Sequence, residues 1–527
     1  MRRTILAVLS SFAFLASAFA QETSGKFRIS KVEYELDGTK ESAVRRNIPI
    51  STKRVFGSRE ELDTYIADLR KRFQNERIFQ ETKIEYETGE TEEVGDSGER
   101  INLVKVSVLA KDSKSLLILP YPKYSSSDGF SAKLKMKDAN FLGTMSELSA
   151  DAYFSMKTDE DDENTTHKAV GIDFEYDFPF QAGPFNASWN NDYFFEYTLD
   201  TKEAEFDTKT GLTLELPLDT YSFVLDVSQS VVRDNEFEFY GDEFHFSTEA
   251  KLSMPIKVAE IDNWGDIKWT PYADYTVNYR QDGEIDSEDI DLSSPLITFA
   301  HEASTGRVDW IGNFRNGLKA TAGQSISYNF QRREYDPKIH AEIQAFKSAK
   351  RIGLAARLYA FASYGRYEKI GERIRGAIDE QKYRDSREMA LKVPSAVVLN
   401  VDLPIHIVTT DWNGWTGSVF GQDSWIARHT AWFRHFDFEM QISPFIDIAL
   451  TKNAATGSTF AIKDGWYTGG IEVLVFPKRW RSVVVRGSIG FDLGRKMLEK
   501  IAPGSFDESW RKDVSEKEVY IGIGLFY

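Results

Sequence analysis

The groups in this sequence that could do covalent chemistry are few. No Gly-x-Ser-x-Gly elbow, His-Glu-x-x-His pair or Gly-x-x-x-x-Gly-Lys phosphate loop occurs in its 527 residues. Cysteine is absent, which excludes thiol nucleophiles and thiolate metal sites. The seven histidines are scattered at 167, 245, 301, 340, 406, 429 and 435. His429 and His435 are the nearest pair, and no clear third metal ligand accompanies them. The acidic run Asp159-Glu160-Asp161-Asp162-Glu163 resembles part of a calcium loop, but lacks glycine at the sixth position and glutamate at the twelfth. It reads as a solvated loop. Trp412, Trp415, Trp425 and Trp432 share one aromatic-rich stretch, read as interface girdle or loop packing in preference to a partner site. No serine–histidine pair of the kind used by barrel lipases and proteases can be assembled. No catalytic residue, metal or cofactor is therefore expected, and the chain is not expected to be an enzyme.

The elements around these residues explain why. Arg2 and Arg3, the short apolar stretch Thr4–Leu15 and Ala18-Phe19-Ala20 form a secretory signal, expected to occupy residues 1–20. No later apolar run is long enough for a transmembrane helix, and mean hydropathy is −0.41. Barrel strands remain compatible, because they alternate lipid-facing with lumen-facing residues. Aromatic residues at 13% suit interfacial girdles. A net charge of −17 argues against nucleic-acid binding.

Residues 25–112 read as one small domain. Val32, Tyr34 and Leu36 alternate with Glu33 and Glu35 as a strand ending at Asp37-Gly38. Ala43, Val44 and Ile48 share a helix face. Ser58 and Glu61 have capping-box spacing before Leu62, Ile66, Leu69 and Phe73. Ile84 and Tyr86 begin a strand, Gly89–Arg100 reads as a turn, and Val104, Val106 and Val108 alternate as a last strand. The order is β-α-α-β-β. From residue 113 to 527 the helical period gives way to period two. Val170, Ile172, Phe174, Tyr176 and Phe178 alternate with Gly171, Asp173, Glu175 and Asp177. Similar rows recur, separated by tight turns such as Gly183-Pro184 and long polar loops such as Gly371–Pro394. Val519, Ile521, Ile523, Leu525 and Tyr527 alternate as a final strand. The fold class is mainly β: a transmembrane antiparallel β-barrel behind one small domain.

Taken together, these features resemble the BamA/TamA superfamily of outer-membrane assembly factors and their two-partner-secretion relatives. In that family periplasmic POTRA domains precede a sixteen-stranded barrel. The β-α-α-β-β unit, with Gly38 closing its first strand, is similar to one POTRA domain. After the second helix Phe79 keeps the family's aromatic, while Arg77 and Ile78 replace its glycine. Asp138–Thr144 looks like the family's first barrel hairpin. Ile374-Arg375-Gly376 lies in a long polar loop, where the family carries an Arg-Gly motif folded back into the lumen. Phe445-Ile446-Asp447 looks like its Phe-x-Asp motif, and Asp402 matches a strand position that often bears a lumenal acid. The resemblance implies that Asp447, with Asp402, holds Arg375. A guanidinium binds carboxylates bidentately and so fixes a loop more firmly than lysine would. Ala377 departs from the family's usual Phe or Tyr.

The function implied is assembly or insertion of β-barrel proteins in the bacterial outer membrane. The seam is expected between a first strand near Gly129–Leu142 and the last, Glu518–Tyr527, eased by Gly522 and Gly524. The partners implied are unfolded client strands, the lipid bilayer and periplasmic chaperones or accessory lipoproteins. Two other functions share the fold: a polypeptide or solute export pore, and a passive porin or surface barrel. A single POTRA domain points to a specialised paralogue serving few clients.

Overall fold

The computed structural model describes residues 25–94, 99–125, 129–158, 166–233, 244–285, 292–364, 368–376, 392–421, 424–429, 436–452, 457–494, 500 and 517–527. The leader at 1–20, the acidic run at 159–163, Ala377, Trp432 and His435 lie outside them.

The first unit runs β1 (Lys26–Asp37), α1 (Glu41–Asn47), β2 (Val55–Phe56), α2 (Arg59–Asn75), β3 (Phe79–Val94) and β4 (Glu99–Asp112). Its sheet order is β2-β1-β4-β3, with β1 parallel to β4. A bulge between Ile29 and Lys31 moves the apolar parity of β1 from Phe27 and Ile29 to Val32, Tyr34 and Leu36. Both sets therefore pack with Leu62, Ile66, Leu69 and Phe73 of α2. Ser58 caps that helix by accepting the Glu61 amide at 3.2 Å, and the Glu61 carboxylate accepts the Gly57 amide at 2.7 Å. Two details differ from the sequence reading. The two-residue β2 is additional, and most of the Gly89–Arg100 turn is strand, because β3 runs to Val94 and β4 starts at Glu99.

The rest closes into an antiparallel barrel of twenty strand segments among the described residues. Two segments continue a neighbour across a proline. His245–Ser253 and Ile256–Ile261 both pair with Gly265–Tyr279, on either side of Pro255. Ser395–Asp402 and Ile405–Thr409 both pair with Phe438–Thr451, on either side of Pro404. Twenty segments less these two leave eighteen strands, which replaces the expected sixteen. The first barrel strand is β5 (Leu116–Ser125), and it closes the barrel against Lys517–Ile523. Gly129–Asp138, expected at the closure, is instead the second strand, paired on both sides. Pro120 and Pro122 disguise β5 in the sequence, since proline demotes a strand reading.

Alternation sorts the barrel residues. Ile172, Leu252, Phe299 and Ile339 each keep more than half their surface exposed on the outside. Glu175, Asp177, Asp192, Glu249 and Asp274, with Lys209 and Lys251, share one interior cavity. A contiguous outer apolar belt of this kind is unstable in water and stable in hydrocarbon.

The first unit docks on the short-turn side of the barrel. Lys40 N donates to Gly143 O at 2.8 Å, and Asn140 donates to Thr39 at 2.7 Å and Asp112 at 3.2 Å. Lys53 meets Asp219 at 2.8 Å, Arg54 meets Asp262 at 2.9 Å, and Arg72 meets Glu260 at 2.7 Å. Asp68 accepts from Arg307, from Arg72 and from the Asn263 amide. Arg77 Nε donates to Arg481 O at 2.6 Å. These turns are distributed round the ring, so the unit lies across that mouth.

Candidate functional site

The Arg375 loop connects Ile352–Ser363 to Ser395–Asp402. Its described part turns inward through Glu368–Lys369, paired with Lys392–Val393, and a 3-10 turn at Gly371–Arg373. Ile370, Ile374 and Val393 pack on Tyr359, Phe361, Ala396, Val398, Ala449 and Trp466, all buried. An apolar cluster inside an otherwise polar lumen has no other way to leave water, and it holds the loop down.

This anchoring places Arg375 between two acidic strands. Asp447 accepts from the Arg375 backbone amide at 2.8 Å, from Nε at 3.0 Å and from Nη2 at 2.9 Å. Asp402 accepts from Nη1 at 2.7 Å and from Nη2 at 3.2 Å. Glu472 stands 3.6 Å from Nη1, with Arg486 3.7 Å beyond it. The Arg375 side chain is 5% exposed and that of Asp447 is 0% exposed. The guanidinium is also covered on its faces, with Cζ 3.9 Å from the centroid of the Phe445 ring and 4.3 Å from that of Phe526. Every donor direction but one faces a carboxylate at hydrogen-bonding range, which ties the loop to both acidic strands.

Gly376 follows with φ +86, a left-handed conformation that glycine adopts without strain. A Cβ here would sit 3.0 Å from Gly490 Cα, and one on Gly490 would sit 2.5 Å from Gly376 Cα. The loop tip therefore lies directly on the backbone of Val485–Asp492, and the Gly376 amide donates to Glu518 of the last strand.

The residues assigned to the seam divide. Gly522 is in the last strand, opposite Arg486, and the Tyr520 ring occupies the space a side chain would need. Gly524 and Tyr527 are not strand residues. Gly524 has φ +106, its amide donates to Val484 O at 2.8 Å, and the segment Gly524–Tyr527 turns into the lumen. There the Tyr527 hydroxyl donates to Asp402, its carbonyl accepts from Arg315, and its ring packs on Phe346. Phe526 covers Arg375 and also faces Arg357 and Arg486. Sequence reasoning missed this inward turn because apolar alternation continues through Leu525 and Tyr527, and only Gly524 signals a break. It also missed Asn400, fully buried, which accepts from Arg357 at 2.9 Å and donates to Arg373 O at 2.9 Å.

No family model matches the chain, and no curated protein matches it. Solved structures do. BamA from Haemophilus ducreyi lacking POTRA domains 1–3 is 12% identical, with 94% of this chain and 84% of that chain covered and a TM-score of 0.37. CdiB from Acinetobacter baumannii is 10% identical, covering 94% and 74%, with a TM-score of 0.46. CdiB from Escherichia coli is 9% identical, covering 95% and 76%, with a TM-score of 0.46.

Proposed function

We propose that this chain is an outer-membrane barrel of the BamA/TamA superfamily, that its first unit is a periplasmic POTRA domain, and that it inserts client strands at the seam between β5 and Lys517–Ile523. The coupling of that seam to the lumenal lock carries the reading. The described part of the last strand, Lys517–Ile523, closes the barrel against β5. It runs directly into Gly524–Tyr527, whose aromatic side chains complete the Arg375 cluster. Unpaired backbone groups in hydrocarbon cost several kcal/mol each. Opening the seam therefore exposes such groups on both β5 and Lys517–Ile523. A client strand that pairs at the seam removes the cost, so strand exchange there catalyses folding without covalent chemistry. Strand β3, at the edge of the four-stranded sheet, offers a second pairing edge in the periplasm. Accessory lipoproteins or chaperones would deliver clients to it.

The test is the folding rate of an unfolded reporter barrel into liposomes containing the purified protein. Wild type accelerates folding, whereas Arg375→Ala and a disulfide joining β5 to Lys517–Ile523 abolish the acceleration. An export pore or passive channel predicts the reverse: the staple is harmless, and deleting Gly371–Pro394 raises conductance. No acceleration by the wild type, with conductance intact, overturns the insertase reading.

A further inference from the structure

The short-turn side of the barrel has one exception to its own rule. Turns there are as brief as Gly183-Pro184, Gly312-Asn313 and Lys350-Arg351, yet residues 410–437 intervene between Ile405–Thr409 and Phe438–Thr451. Their described part forms two helices, α3 (Trp412–Phe420) and α4 (Trp425–His429). The base is fixed by polar contacts. Asp437 accepts from the Trp412 amide at 3.0 Å and from Thr410 Oγ1 at 3.2 Å, and Lys478 donates to Thr410 O at 2.6 Å. Asp411 caps α3 by accepting the Gly414 amide at 3.0 Å. Beyond this base large apolar side chains of both helices stay open: Val419 and Trp425 are each 71% exposed and Phe420 51%.

We infer that α3 and α4 are seated in the membrane, with Trp415, Val419, Phe420 and Trp425 among the phospholipids of the leaflet facing the first unit. The inference rests on the membrane reading of the barrel. Lipid is the occupant because these helices continue the belt. Exposed Leu403 and Ile407 lead into them, and exposed Ile446 stands on the strand that follows them. Tryptophan at the rim of such a belt has its ring among acyl chains and its indole N–H at the headgroups. Tryptophan-bearing apolar helices at this level sit about 5–10 Å into the headgroup and acyl boundary.

The absence of cysteine allows clean labelling. Val419→Cys, Ile426→Cys and, on the belt, Ile343→Cys are each labelled with a nitrobenzoxadiazole fluorophore. The proteins are reconstituted in phosphatidylethanolamine–phosphatidylglycerol vesicles carrying nitroxides at headgroup or mid-chain depth. Folding of each variant is verified by its heat-dependent gel migration. The labels at 419 and 426 are expected to be quenched most by the shallow nitroxide, at a depth of about 5–10 Å, and the label at 343 most by the deep one. Quenching at 419 and 426 by aqueous iodide alone overturns the inference. Protection from both quenchers overturns it too, and indicates a protein partner. Loss of lipid quenching at 343 as well overturns the membrane reading, and this inference with it.

Discussion

Two arginine-rich contacts hold this protein in its shape, and they are built for different duties. The Arg375 cluster is dry: five hydrogen bonds to two carboxylates, two aromatic rings against the guanidinium, and almost no exposure. The interface between the first unit and the barrel is mostly wet. Lys53 and Asp219 are each more than four-fifths exposed, and Arg54, Arg72 and Glu260 are partly exposed. Only Asp68, 1% exposed, approaches the burial of the lumenal acids. Exposed pairs contribute roughly 0–1 kcal/mol and are screened by salt, whereas a buried charge that loses its partner costs about 3–5 kcal/mol. Losing a partner in the lumenal cluster is therefore expected to cost more than losing an exposed pair at the mouth.

The sharpest test removes one partner from the dry contact. Asp447→Ala is expected to destabilise the barrel by about 3–5 kcal/mol, read as a lower temperature for the change in gel migration. Replacing Arg375, Asp402 and Asp447 together by apolar residues should recover much of that loss. If Asp447→Ala behaves as wild type, the lumenal cluster is not a lock.

Next comes the one buried acid of the wet contact. Asp68→Ala is expected to weaken docking by about 1.5–3 kcal/mol, the range for hydrogen bonds to charged groups, read as faster hydrogen exchange or proteolysis of α2 with the barrel unchanged. Burial alone would raise the Asp68 carboxyl, but the Arg307 and Arg72 guanidiniums and the Asn263 amide outweigh it and hold the carboxyl below its usual 3.8. Its contribution is thus fully present above that value and is lost as pH falls through the lower, folded one. Acid in that window should release the first unit. Docking that survives protonation of Asp68 would place the dominant contact elsewhere.

Arg77 separates backbone from side chain. It has φ +56, a left-handed conformation that costs a non-glycine residue roughly 1–2 kcal/mol. The docked side chain offsets this, with Cζ 4.1 Å from the Trp310 ring centroid besides the bond to Arg481 O. Arg77→Gly should relieve the strain yet lose the contact, leaving a net loss of docking of about 1 kcal/mol. A gain in docking would show that the strain is the larger effect. The smallest expected change is with salt. Moving from low ionic strength to about 1 M, where the screening length is about 3 Å, should loosen docking slightly and leave barrel stability unaltered. Equal sensitivity of both would erase the distinction between the contacts.

The lumenal trio Arg375, Asp402 and Asp447 was legible because a known family pattern matched their order and spacing. Geometry places all three in direct contact. The other half of the same cluster was hidden. Phe526 and Tyr527 have the residue types of an outward strand face, and nothing local shows that Gly524 aims them inward. The strand count was hidden for a related reason. The expected sixteen came from the family and not from the alternation, which Pro120, Pro122, Pro255 and Pro404 interrupt.

What the sequence by itself determined is the period. Side chains of a strand alternate between faces wherever it runs, so an acidic row opposite an apolar row specifies a barrel wall without reference to any other residue. Only the tertiary structure decided which strand closes on which, where Gly524–Tyr527 turns, and how the first unit lies across the mouth. Those outcomes depend on contacts between residues far apart in the chain, such as Arg77 with Arg481 and Asp402 with Tyr527. Their energies appear only when the whole ring is assembled, because local periodicity carries no information about the partner a face will meet.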